Sequence, residues 1–212
     1  MALVDIHTHL IPFVDDGINN KSTLLESLDA YKDEGFNKLV STVHLYNPYV
    51  NTRVENIREM GQWVKEEAAK RDIEFFIGSE TFIGGMNEVS VLPFLNNCVL
   101  IETDYYAAPL FLVHHANDLI KRSYKVILAH IERYRWFNLD SPLVMQLREL
   151  GLYFQCNVDA VEQKSVEHLL KEGFVDIIAT DNHGDLTLPK RLRALLEGYP
   201  AIKVRMDKLF EF

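Results

Sequence analysis

The sequence predicts an α/β protein of seven strand–helix units, wound either as an open doubly wound sheet or as a closed β/α barrel. Three observations lead there. The 212 residues are 48% hydrophobic and 25% charged, the make-up of an ordinary folded domain whose core needs no disulfide staples. Short apolar runs alternate with longer amphipathic stretches, as strands buried on both faces alternate with the helices that cover them. No GxGxxG, P-loop or GxSxG sequence occurs, so nothing marks the ligand crevice of an open sheet. The position of the polar residues then decides between the two architectures.

Residues 3–6 form the first apolar run, followed at once by His7 and His9. Residues 22–34 place Leu24, Leu25, Leu28 and Tyr31 at helical spacing, and Gly35 stops the helix. The second run, 39–43, ends on His44, and the helix of 54–71 carries Ile57, Met60, Val64 and Ala68 on one stripe. The third, 73–77, precedes Glu80. The segment from 80 to 97 is a poor helix former because it holds Gly84, Gly85 and Pro93. The fourth run, 98–101, meets Glu102 and is followed by a helical pattern over 110–122. The fifth, 125–129, ends on His130, with a helix over 143–150. The sixth, 152–156, leads to a helix over 166–171, and the seventh, 175–179, leads to Asp181, His183 and a helix over 192–196.

Six of the seven runs thus deliver an imidazole or a carboxylate at the same end. In a β/α barrel those ends share one face, the face where such barrels carry their sites, so the barrel is the preferred reading. Taken singly, each residue has a mundane explanation. His7 and His9 could be simple polarity, Glu80 and Glu102 helix caps or ion-pair partners, and Asp181-Asn182-His183 a turn. Random polar residues would scatter over both strand ends, which is why the joint pattern outweighs the separate ones. Five histidines with several carboxylates and no thiolate suit Mn, Fe or Zn. That number exceeds the three or four protein ligands of one catalytic ion and implies two or three divalent ions sharing a carboxylate. Such a centre activates water and clamps the oxygens of a phosphoryl displacement. His114, His115 and His168 read as packing or surface, Tyr46, Tyr49, Tyr105 and Tyr106 as loop packing or, at the barrel mouth, as residues that could touch substrate, and Cys98 and Cys156 as small core side chains.

Thirty-one acidic against 22 basic residues give a net charge of −9, which argues against nucleic acid held through a basic surface. Two cysteines make neither a disulfide framework nor a thiolate metal site. The N-terminus reaches a charge and two histidines at once, unlike a signal peptide. No apolar run approaches the ~18 residues of a membrane helix. The expected setting is cytoplasmic, without membrane insertion.

Asp5-Ile-His7-Thr-His9-Leu-Ile-Pro12-Phe-Val-Asp15-Asp16-Gly17 resembles the opening signature of bacterial capsular-polysaccharide-type tyrosine phosphatases, in the polymerase and histidinol phosphatase (PHP) superfamily. The resemblance continues in family order through Ser41-Thr-Val-His44, Gly78-Ser-Glu80, Leu100-Ile-Glu102, Leu128-Ala-His130-Ile-Glu132-Arg133-Tyr134 and Ala179-Thr-Asp181-Asn-His183. It implies a distorted (β/α)7 TIM-like barrel, a single PHP-type phosphatase domain over residues 1–212, with three metals. One ion would take His7, His9, Glu80 and Asp181. A second would share Glu80 and add Glu102 and His130, and a third would take Asp16, His44 and His183. Asp16 is preferred to Asp15 because it directly precedes the glycine. Arg133 would hold the phosphate, and Arg191 is a weaker second contact. Manganese is the first expectation, with Fe or Zn as alternatives.

Two departures stand out. Pro12-Phe13 replaces the family's Pro-Gly, which predicts a differently shaped first loop, and Leu45-Tyr46 follows His44 where another histidine is common. The implied activity is hydrolysis of phosphotyrosine in protein, the partner being the tail of a membrane-associated tyrosine autokinase that controls capsule or exopolysaccharide export. The rivals are a small-molecule phosphomonoesterase of the histidinol-phosphatase type and a noncatalytic metal-binding regulatory barrel.

Overall fold

The structure, a computed structural model, describes residues 3–210. Seven strands, β1 (Val4–Thr8), β2 (Lys38–Leu45), β3 (Glu74–Ile83), β4 (Cys98–Thr103), β5 (Lys125–Leu128), β6 (Tyr153–Asn157) and β7 (Ile177–Ala179), pair in parallel in sequence order. No reversal of strand order interrupts the sheet, so the switch point of a doubly wound fold does not exist here. The seam between β7 and β1 is closed just beyond the strands. His9 N donates to Asn182 O at 2.8 Å and Asp181 N donates to His7 O at 2.8 Å, with a parallel bridge between Thr8 and Asn182. The result is the nearly closed (β/α)7 barrel that the strand-end pattern predicts.

Among the described residues eight helices cover the barrel: α1 (Lys21–Asp33), α2 (Val54–Ala69), α3 (Leu112–Lys121), α4 (Pro142–Glu149), α5 (Val158–Glu162), α6 (Glu167–Lys171), α7 (Leu188–Gly198) and α8 (Pro200–Phe210). Asn20 caps α1 by accepting from Thr23 N at 2.8 Å, satisfying a donor the helix cannot. The helix then turns Leu24, Leu28 and Tyr31 onto the sheet. β1 and β4 are buried along their whole length, which explains their unbroken apolar character.

β3, α5 and α8 differ from the sequence expectation, and the segment before β4 meets it. β3 runs on to Ile83, so Glu80 lies inside a strand, because its pairing with β2 continues through His44 opposite Glu80 and Leu45 opposite Thr81. Between β3 and β4 there is no α-helix, only an irregular loop and a single 3-10 turn at Leu95–Asn97, as its glycines and proline favour. α5 and α8 have no counterpart in the sequence reading; α8 buries Ile202, Met206, Leu209 and Phe210.

The register between β1 and β2 slips between Asp5 and Thr8, where three steps on β1 face two on β2. A bulge there re-aims the strand at His7. A cavity of about 500 Å³ lies at the opposite end of the barrel beside Leu3, Gly35 and Leu196, away from the imidazoles.

Candidate metal centre

All nine residues singled out as ligands gather at the C-terminal ends of the strands. Glu80 is the hub. Its Oε2 lies 3.3 Å from His7 Nε2, 3.3 Å from His9 Nε2 and 3.4 Å from His44 Nδ1, and its Oε1 lies 2.8 Å from His130 Nε2. Asp181 Oδ1 stands 3.4 Å from both His7 Nε2 and His9 Nε2. Glu102 Oε1 lies 3.1 Å from His44 Nδ1, and its Oε2 lies 3.9 Å from His130 Nε2. On the outer side, Asp16 Oδ1 faces His44 Nε2 at 3.4 Å and His183 Nε2 at 3.6 Å. Three groups could each hold an ion: His7, His9, Glu80 and Asp181; His9, Asp16, His44 and His183; and His44, Glu80 and Glu102. The grouping differs from the one the resemblance implies in three respects. His9 borders two groups, His44 sits beside the Glu80–Glu102 pair as well as beside Asp16, and His130 belongs to none of the three, touching the cluster through Glu80.

Residues outside the strand-end pattern orient these side chains. His7 Nδ1 bonds Gln155 Oε1 at 3.1 Å, and His130 N donates to the same oxygen at 2.8 Å. Gln155 Nε2 donates to Asn157 Oδ1 at 2.8 Å, and Asn157 Nδ2 donates to Asp181 Oδ2 at 3.2 Å. Asp15 Oδ2 lies 3.0 Å from His9 Nδ1, while its Oδ1 accepts from Gly17 N at 3.1 Å. His183 Nδ1 bonds Asp181 O at 2.9 Å. In each case the Nδ1 proton is spoken for, leaving an Nε2 lone pair directed inward. Asp15 and Asp16, adjacent in sequence, therefore face different partners.

This donor set fits divalent ions. His7 Nε2 and His9 Nε2 lie 3.4 Å apart and face the same two carboxylates. A proton can bridge only one such pair, whereas a cation accepts both lone pairs and both carboxylates together. His130 Nδ1 is buried with no hydrogen-bond partner among the described residues.

The electrostatics have the same origin. Burial alone would lower the pKa of His7, but Glu80 and Asp181 raise it, and His9 rises well above its ordinary value against the same penalty through Asp15, Asp181 and Glu80. Burial likewise opposes the ionisation of Glu80 and Asp181, yet the imidazoles hold both well below the usual carboxylate range. For His44 burial is outweighed by Asp16 and Glu102, and its pKa is pushed up to about 10.

Arg133 stands at the rim, its Nη2 donating to Asp181 Oδ2 at 2.5 Å with the side chain 41% exposed. Its ion-pair partner is thus a residue of the cluster. Burial would lower its pKa, but Asp181 and the Tyr105 hydroxyl raise it. Arg191 is instead held by Asp159 and Glu162 of α5. His115 bonds Gly85 O at 2.7 Å, a structural role, and both cysteines are buried and free. Tyr46, Tyr49, Tyr105 and Tyr106 line the barrel mouth, 56%, 81%, 42% and 69% exposed, and Tyr46 Oη also packs its loop by accepting from Ser90 N at 3.3 Å. Sequence reading missed Gln155 and Asn157, although a glutamine inside a buried apolar run is a signal, because such a group must find partners.

Phe13 stands where the family has glycine. It takes φ of 65°, the left-handed conformation a glycine adopts freely. His130 and Asp181 also sit at positive φ, 28° and 55°. Non-glycine residues tolerate this conformation mainly where the surrounding structure fixes them, as it does at functional sites.

Fold and site together define a class: a (β/α)7 barrel whose mouth gathers a polynuclear set of imidazoles and carboxylates. Within it the chain belongs to the capsular polysaccharide synthesis CpsB/CapC family, whose pattern matches residues 3–208. It is 28% identical to the tyrosine-protein phosphatase CpsB of Streptococcus agalactiae, the alignment covering 98% of this chain and 95% of the relative. It is 25% identical to the tyrosine-protein phosphatase YwqE of Bacillus subtilis, over 85% and 77% of the two chains. A crystal structure from work on YwqE of Bacillus subtilis and CpsB of Streptococcus pneumoniae, described as metal-dependent tyrosine phosphatases, shares the fold. Its TM-score is 0.80 at 22% identity, over 98% of this chain and 94% of that one.

Proposed function

We propose that this protein is a metal-dependent phosphatase acting on phosphotyrosine in proteins. The observation that carries the reading is the Glu80 hub, one buried carboxylate touching four imidazoles, with the Arg133 guanidinium at its rim. His7, His9, Glu80 and Asp181 would hold one ion, His44, Glu80 and Glu102 with His130 a second, and Asp16, His44 and His183 with His9 a third. Two or three divalent ions there, Mn foremost and Fe or Zn as alternatives, would supply Lewis acidity and bring the pKa of water toward neutrality.

The chain's own side chains do the rest. Gln155, Asp15 and the Asp181 carbonyl keep three imidazoles in the tautomer that presents Nε2 inward. Arg133 offers a planar fork to phosphate oxygens, where charge grows during phosphoryl transfer. A phenolate, of pKa about 10, leaves more readily than an alkoxide, so no strong acid is needed beside it. The cysteines take no part: burial pushes the Cys98 thiol up to about 12 and raises Cys156 as well.

The membership in a capsule-synthesis family and the names of the relatives support a phosphotyrosine protein as substrate and a capsule-related role. The substrate we propose is the tyrosine-rich tail of an autokinase in capsule or exopolysaccharide export, met in the cytoplasm, as the sequence resemblance implies. No described helix is long and apolar enough to cross a membrane. Protein loaded with Mn, Fe or Zn should hydrolyse a phosphotyrosine peptide faster than histidinol phosphate, and Glu80→Ala should abolish the activity. Preference for histidinol phosphate would favour the small-molecule rival, and no hydrolysis of any phosphomonoester would leave the regulatory barrel.

A further inference from the structure

We infer that the cleft beside Glu102, walled by Tyr49, Phe82, Tyr105 and Tyr106, is a specificity subsite that takes the aromatic ring of an aryl phosphomonoester. The inference rests on the phosphatase reading and names the group that the site selects. The cleft measures about 240 Å³ and includes Asn47, Glu102, Thr103 and Asp104. That is below the roughly 300–1,000 Å³ of pockets for larger ligands, and suits one ring.

Its position follows from strand geometry. Glu80 and Phe82 are two residues apart on β3, so both point to the same face, with Phe82 one step further out. Phe82 is also the register partner of Glu102 on β4. A ring in the cleft therefore sits directly outside the Glu80–Glu102 pair. Tyr105 joins the cleft to the metal side: its ring forms a wall and stands edge-on to the His130 ring, with centroids 6.1 Å apart.

The walls are held in place. A Cβ on Gly84 would lie 2.6 Å from Phe82 Cε1, so the glycine lets the loop close over that ring. Asp104 Oδ1 accepts from Tyr106 N at 2.8 Å, Trp136 Nε1 donates to Asp104 O at 3.0 Å, and Arg135 N donates to Tyr105 O at 2.8 Å. The Arg135 guanidinium lies 4.7 Å from the Tyr106 ring centre. Asn47 Nδ2 donates to Glu102 Oε1 at 2.7 Å and its Oδ1 accepts from Tyr49 N at 2.8 Å, fixing the opposite wall. Aromatic faces attract a phenyl ring. Tyr49 and Tyr106 are mostly exposed, so the cleft is open outward and the ring can belong to a peptide.

Calorimetry on the Mn-loaded protein with phenylphosphonate and methylphosphonate tests this, since both carry the phosphoryl oxygens but only one carries the ring. Wild type should bind phenylphosphonate roughly tenfold more tightly. Phe82→Ala combined with Tyr106→Ala should reduce that ratio to about one while methylphosphonate affinity stays unchanged. If the double variant loses methylphosphonate too, Phe82→Leu, which keeps the volume and removes the π face, should by itself reduce the ratio at least twofold. Equal affinities in wild type, or an undiminished ratio in the variants, overturn the subsite. Failure of wild type to bind either phosphonate would sink the phosphatase reading itself, a separate and recognisable result.

Discussion

At the scale of residues, the ring orientations at the centre depend on side chains that are not themselves candidate ligands. Gln155 accepts from both His7 and the His130 backbone and passes the chain of bonds to Asn157 and Asp181. Gln155→Leu removes that acceptor at little cost in volume. It should weaken metal binding by about 10–100-fold, the usual effect of losing an outer partner of a liganding histidine, as read by chelator competition. Unchanged affinity would show that His7 needs no such partner. Arg133 is tested differently. Arg133→Ala should lower turnover on a phosphotyrosine peptide by about 10²-fold, the cost of losing one preorganised charge partner, with metal content unchanged by elemental analysis. Near-normal turnover would remove Arg133 from the chemistry.

At the scale of elements, the loop from β1 to α1 has two positions that the backbone restricts in different ways. A Cβ on Gly17 would lie 2.1 Å from His9 O, a backbone atom that cannot step aside. Gly17→Ala should therefore displace Asp16 and His9 together, lowering the melting temperature and the metal content. Phe13, at φ of 65°, carries left-handed strain of roughly 1 kcal/mol. Phe13→Gly should relieve part of it, leaving metal content intact and raising the melting temperature by about 1–3 °C for a domain of this size. A fall in both quantities would mean that the ring, 41% exposed, packs to more effect than its position indicates.

At the scale of the whole molecule, the centre ties stability to pH and metal together. In metal-free protein the neighbouring carboxylates raise the pKa values of His7, His9 and His44, the last up to about 10. A folded pKa above the unfolded value of about 6.5 contributes stability that is complete below pH 6.5 and is lost as pH rises toward 10. Glu80 and Asp181, with lowered pKa values, contribute above the usual carboxylate range and lose that contribution in acid. Metal reverses the demand on the histidines, since an imidazole must shed its proton to ligate. Melting curves from pH 5 to 9 with and without a chelator should thus show a stabilisation by metal that widens as pH rises. A gap that is constant or narrows would mean that the histidines do not ligate.

The sequence by itself determined the seven strands, the barrel and the residues that crowd its mouth. Strands buried on both faces must be apolar, so the few imidazoles and carboxylates at their ends stand out against a uniform background. It determined the family as well, through motifs in order from Asp5 to His183. Tertiary structure alone decided what each polar group touches. Asp15 and Asp16 are adjacent and chemically identical, and only the turn over Gly17 sends one to His9 and the other to His44 and His183. Arg133 could have met Glu132 beside it, but the closing of β7 against β1 brings Asp181 within its reach. The exposed tyrosines became a cleft only when the loops after β2, β3 and β4 were brought side by side. Periodicity reports which face of an element is buried, a local property; hydrogen-bond partners 29 to 175 residues apart depend on how the whole chain closes.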